Sequence, residues 1–101
     1  MLMHEKQRGT MTVRLTGDLD HSTAMKIREE LDGLIADPGV KRLVLDLSGL
    51  GFMDSSGIGM MLGRYKVMMR RGGSVAVRPG CAQVDRLMEL SGLYQIIEKL
   101  A

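Results

Sequence analysis

The run Leu43-Val44-Leu45-Asp46-Leu47 restricts the possible folds more than any other stretch of the chain. Nearly continuous apolar character over five residues suits a central strand covered on both sides. Helix-period segments flank it. Ahead of it Ala24, Ile27, Leu31, Leu34 and Ile35 recur at helical spacing, with Lys26 and Glu30 placed as an i,i+4 pair. Pro38-Gly39 ends that segment, because the residue before a proline is pushed out of the α region. Behind the run, Ile58, Met61, Leu62, Tyr65 and Met69 share one helical face that stops at Gly72-Gly73. A buried strand between two amphipathic helices predicts βαβ units and a parallel sheet.

The remaining segments extend that pattern. Leu2 to Gln7 is a weak strand, Arg8-Gly9 a turn, and Met11 to Thr16 alternates strictly with Met11, Val13 and Leu15 on one face. Together they predict an antiparallel hairpin at the sheet edge. Val75-Ala76-Val77 is a short strand, Pro79-Gly80 turns the chain, and a third helix buries Val84, Leu87 and Met88 before Gly92 caps it. Tyr94 to Ile97 fits either a last strand or a helical turn. The expected architecture is one α/β domain over residues 1–101, with a mixed, mostly parallel sheet of four to five strands flanked by three to four helices. There is no internal repeat, low-complexity tract or linker.

Composition narrows the function classes. With 45% hydrophobic and 26% charged residues the chain is globular, and only Phe52, Tyr65 and Tyr94 are aromatic, so the core must be aliphatic. A net charge of +2, dispersed along the chain, argues against direct contact with nucleic acid or an anionic membrane. The densest basic stretch, Arg64, Lys66, Arg70 and Arg71, is expected on the exposed face and last turn of a helix. Cys81 stands alone, which fits a reducing compartment and predicts a buried or half-buried filler. No apolar run reaches the roughly 18 residues of a membrane span, and no leader is visible, so the expected location is cytoplasmic.

In parallel units the loops after successive strands leave from one end of the sheet. The loop holding Asp18, Asp20 and His21 should therefore face the loop at Asp54-Ser55, with Asp20, Ser22 and Thr23 available as helix caps. Asp54-Ser55-Ser56-Gly57 itself opens a helix, where Asp or Ser can accept hydrogen bonds from the free N–H groups of the first turn. That role leaves Gly57, Gly59 and Gly63 unexplained, since each costs roughly 1 kcal/mol against alanine inside a helix. Gly59 and Gly63 share a face suited to close packing on the sheet. Gly57, beside the serines, suits the approach of another molecule. A phosphate on a serine here would meet the positive end of the helix dipole. Met60 falls off the apolar stripe and is a candidate contact patch for a partner.

Catalysis has little support. There is no G-x-S-x-G elbow, and only His4 and His21 are available as a base. Asp18, Asp20 and Asp54 offer oxygen ligands, but carboxylates from two loops more often serve as caps, so no metal is assigned. The glycines lack the spacing and the Lys-Ser/Thr ending of phosphate-binding loops, and no cofactor is expected.

Three blocks, Gly17-Asp18-Leu19-Asp20-His21-Ser22-Thr23-Ala24, Leu43 to Leu47, and Phe52-Met53-Asp54-Ser55-Ser56-Gly57-Ile58-Gly59, resemble the STAS-domain anti-sigma factor antagonists of bacteria. Leu62-Gly63-Arg64-Tyr65-Lys66, Leu90-Ser91-Gly92-Leu93 and Ile96-Ile97 resemble the sporulation branch of that family. The likeness runs from about Met11 to Ile97. It implies a STAS-like fold and a non-enzymatic role in control of a sporulation sigma factor. The unphosphorylated protein would bind an anti-sigma factor that is also a serine kinase, releasing the sigma factor. That kinase would phosphorylate Ser55, and a serine phosphatase would reverse it. Asp20, His21, Asp54, Ser56, Gly57, Gly59 and Met60 would form the partner surface. The chain departs from the family pattern at Ser22, where a second histidine is expected, and ends early at Ala101, which implies a curtailed terminal helix. The alternative is a STAS-type module sensing a ligand or nucleotide without a kinase partner.

Overall fold

A computed structural model describes residues 2–101. The elements are β1 (Leu2–Gln7), β2 (Thr10–Leu19), α1 (Ala24–Ile35), β3 (Arg42–Met53), α2 (Ser55–Arg70), β4 (Ser74–Arg78), α3 (Ala82–Leu90) and β5 (Glu98–Lys99). The tail that the sequence left open is a 3-10 turn at Leu93–Gln95, and the last strand follows it. The sheet runs β1-β2-β3-β4-β5. Its β1–β2 pair is the expected antiparallel hairpin, and the other pairs are parallel.

Each parallel crossover advances one strand in the same direction, and right-handed connections of that kind bring every helix to one face. A single core results. Ile27, Leu31 and Ile35 of α1, Met61 and Met68 of α2, and Val84 and Met88 of α3 pack with Leu43, Leu45 and Leu47. β3 is buried on both faces, as expected, with the helices on one of them. Val44 and Ala76 alternate to the opposite face and are buried there without joining that core.

The strands β2 and β3 outrun their apolar runs, reaching Leu19 and Met53. Glycines that look like terminators in the sequence mark irregular pairing instead. The register shifts between Arg14 and Thr16 and between Gly17 and Asp18, where Gly17 adopts a φ of +88°. That extension carries both strand ends to the candidate site.

The helix α2 is turned from its predicted orientation. It buries Gly57, Met60, Met61, Arg64 and Met68, while Ile58, Leu62 and Tyr65 are half-buried and Met69 is exposed. The cause lies in the first turn. A Cβ on Gly57 would stand 2.6 Å from Met53 Cγ and 2.9 Å from Leu19 Cγ. Only glycine lets the helix settle on those two buried side chains, and helical steps from it lead to Met61, Arg64 and Met68.

Two local expectations are corrected with it. Arg64, expected in solvent, is 5% exposed. Arg71 is exposed at the end of α2, as expected, and in addition donates guanidinium N–H groups to the carbonyls of Ile35 and Val40, tying the end of α1 to that of α2. Cys81 is exposed at the N-cap of α3, because it falls in a turn where periodicity places nothing. On α1 the i,i+4 ion pair is Arg28 with Asp32, at 3.8 Å.

Candidate functional site

Leu19 and Met53 pair at the end of the parallel β2–β3 ladder, and the Asp54 N–H donates to the Leu19 carbonyl at 3.2 Å. The loop after β2 and the start of α2 therefore leave the sheet side by side, as expected from parallel topology. Asp20 organises the first loop. Its Oδ1 accepts from the Ser22 N–H at 3.0 Å, the Ser22 hydroxyl at 2.7 Å and the Thr23 N–H at 3.2 Å. The Ser22 hydroxyl bond above all holds the Asp20 carboxyl below its usual range, against a desolvation that pushes it up. Thr23 closes the loop by donating its hydroxyl to the Asp18 carbonyl at 2.8 Å.

Asp54 is the N-cap of α2, in extended conformation, and accepts from the Ser56 N–H at 2.8 Å. Ser55 is thus the first helical residue. It is exposed, and its hydroxyl makes no hydrogen bond among the described residues.

Sequence reasoning missed Gln83. β4 stops pairing with β3 at Asp46. Beyond that point the Gln83 side chain takes over, accepting from the Met53 N–H at 3.0 Å and donating to the Met53 carbonyl at 2.8 Å. A lone glutamine on a helix carries no periodic signal for this role. Gln83→Ala leaves both Met53 groups unpaired and is expected to lower stability by about 2 kcal/mol, measurable by urea unfolding.

The remaining predicted residues separate into two sets. His21, Ser56, Gly59 and Met60 meet along a groove between α1 and α2, continued by Gly63 and Arg64, with a volume of about 320 Å³. Gly57 does not reach this surface; it is buried, and its role is packing. Met60, placed off the apolar stripe by sequence, is 5% exposed and belongs to the core, contributing only an edge to the groove. The two glycine roles are also exchanged. Gly57 is the close-packing glycine, whereas a Cβ on Gly59 or Gly63 would meet nothing within 4 Å.

His4 lies on β1, the edge strand beside β2, where it pairs with Val13, well short of the β2–β3 end at Leu19 and Met53. No group of three His, Cys, Asp or Glu side chains is placed to hold a metal ion among the described residues. No helix described is long and apolar enough to cross a membrane.

Comparisons with known proteins agree with this geometry. The STAS domain pattern matches residues 1–101. The anti-sigma F factor antagonist of Paenibacillus polymyxa is 44% identical over 93 residues, covering 92% of this chain and 80% of the relative. The unphosphorylated anti-sigma factor antagonist SpoIIAA superposes with a TM-score of 0.85 at 28% identity, covering 100% of this chain and 89% of that one. The phosphorylated form of a Bacillus SpoIIAA superposes with a TM-score of 0.77 at 27% identity, covering 100% and 92%. With its sheet order, its paired β2 and β3 loops and these similarities together, the chain belongs to the STAS-domain anti-sigma factor antagonist family.

Proposed function

We propose that this protein is a non-enzymatic phosphorylation switch acting on an anti-sigma factor, in control of a sporulation sigma factor. In the unphosphorylated state it binds an anti-sigma factor that is also a serine kinase, so that the sigma factor is released. Phosphate on Ser55 ends the binding, and a serine phosphatase restores it. Asp20, His21, Asp54 and Ser56 surround Ser55 as the contact surface.

One observation carries this reading. Ser55 opens a 16-residue helix whose cap is already supplied by Asp54, so its exposed hydroxyl has no structural duty. A phosphate can be attached there without breaking a bond of the fold, and the helix dipole favours it. It adds roughly −1.5 to −2 charges at neutral pH to an edge already carrying Asp20 and Asp54. Release then follows from local charge and bulk. The match to relatives in both phosphorylation states supports a domain whose fold changes little.

Incubation with the cognate anti-sigma factor kinase and ATP tests this reading by intact-protein mass. One phosphate is expected on the parent protein and none on Ser55→Ala. Incorporation at Ser56, or none in the parent protein, would overturn it, the latter in favour of a ligand- or nucleotide-sensing STAS module.

A further inference from the structure

Arg64 is the one buried charged side chain among the described residues, and the structure leaves it incompletely paired. Its Nε stands 3.0 Å from Asp32 Oδ1, close enough for an ion pair. Neither Nε nor Nη1 makes a hydrogen bond, although both are out of contact with solvent. Asp32 is itself half-exposed and is shared with Arg28, so two guanidinium groups compete for one carboxylate. That leaves one positive charge over. Buried polar groups without partners are rare in folded proteins, and a buried cation is among the most costly of them. Burial pulls the Arg64 guanidinium below its usual range, and Asp32 works against it.

Arg64 lines the groove between α1 and α2, and beside it runs a strip with no side chains. Gly59 and Gly63 lie one helical turn apart, and space above both is open. Neither glycine is required by backbone conformation or by packing against the sheet, in contrast to Gly57. Ala24, Met25 and Met60 give the walls an apolar part, and the exposed Arg28 adds a second, solvated guanidinium at the rim. A bare backbone strip, partly apolar walls and one unsatisfied guanidinium form a ligand site with two separate requirements.

We propose that the α1–α2 groove binds a small organic anion, its carboxylate or phosphate group meeting Arg64 and its apolar body lying over Gly59 and Gly63. At about 320 Å³ the groove is the size of a single-ring ligand. Guanidinium N–H groups match both oxyanions, and Nη2, the nitrogen that is not shut off from solvent, is the one the anion would meet. The site does not depend on Ser55 being phosphorylated, although it shares His21 and Ser56 with that edge.

Amide spectra of the full ¹⁵N-labelled chain, titrated with benzoate, phenyl phosphate and neutral benzyl alcohol, test the proposal. Saturable shifts are expected at Gly59, Gly63 and the Arg64 Nε–H with at least one of the two anions. The stronger of the two identifies the preferred head group. Gly63→Leu fills open space and should remain folded while weakening binding at least tenfold. Arg64→Met should weaken binding of the anions at least tenfold although Arg28 remains at the rim; if that variant fails to fold, Gly63→Leu still decides. Equal shifts with benzyl alcohol would overturn the proposal. So would unchanged affinity in Gly63→Leu, or shifts confined to Ser55 and the first turn of α2.

Discussion

Ser55→Glu is expected to bind the anti-sigma factor about a hundredfold more weakly than the parent protein, a loss of roughly 3 kcal/mol. The expectation rests on where Ser55 lies. It is exposed, unpartnered and next to the half-buried cap Asp54, so any partner touching this edge meets the new carboxylate directly. Like charges brought together at a contact cost several kcal/mol, and an acidic or phosphate-bearing partner surface would experience that in full. Ser55→Ala is the control and should stay within about threefold of the parent protein, since the alanine removes no hydrogen bond. Calorimetric titration against the purified anti-sigma factor measures both. If Ser55→Glu bound as tightly as the parent, charge would be excluded as the cause of release. Amide shifts should remain near Asp20–Ser22 and Asp54–Ile58; changes throughout the sheet would indicate rearrangement instead.

The glycines of α2 should respond in opposite directions. Gly57→Val forces branched carbons onto Met53, whose Cγ and Sδ lie 2.6 and 2.8 Å from the position of a Cβ, and onto Leu19. Both neighbours are fully buried, so neither can move into solvent. Overpacking of this kind costs about 3 kcal/mol, a large part of the 5–15 kcal/mol typical of a small domain. The melting temperature should fall by roughly 15 °C. Gly59→Ala and Gly63→Ala meet open space and recover helix propensity, so each should raise stability by about 1 kcal/mol. Thermal melts of the three variants check the contrast. A stable Gly57→Val would mean that α2 does not rest on Met53 and Leu19.

The same helix shows how far the sequence is legible. Strands with alternating or continuous apolar residues, such as Met11 to Thr16 and Leu43 to Leu47, announce themselves because burial acts on every second or every residue. The topology followed from them, and with it the meeting of the Asp20 and Asp54 loops. The orientation of α2 was not legible, because the two residues that set it are the least hydrophobic on the buried face. Gly57 contributes closeness rather than apolar surface, and Arg64 is buried by the helix that carries it. A count of apolar side chains gives both to solvent. Gln83 and Arg71 were missed for a related reason: each satisfies backbone groups distant in sequence, and a residue type alone does not say which.

The Leu19–Asp54 backbone bond and the Gln83 clamp fix Ser55 to the frame of the sheet. Loops that must close or reorder do so in microseconds to milliseconds, and that interval limits many regulated proteins. A serine placed at the start of a helix bonded into the sheet requires no such rearrangement for the proposed switch. If charge alone releases the partner, the moment the phosphate is removed is also the moment the surface is competent again. Under the proposed function, the tempo of the response then belongs to the enzymes that add and remove the phosphate, and the protein itself keeps no record of its previous state.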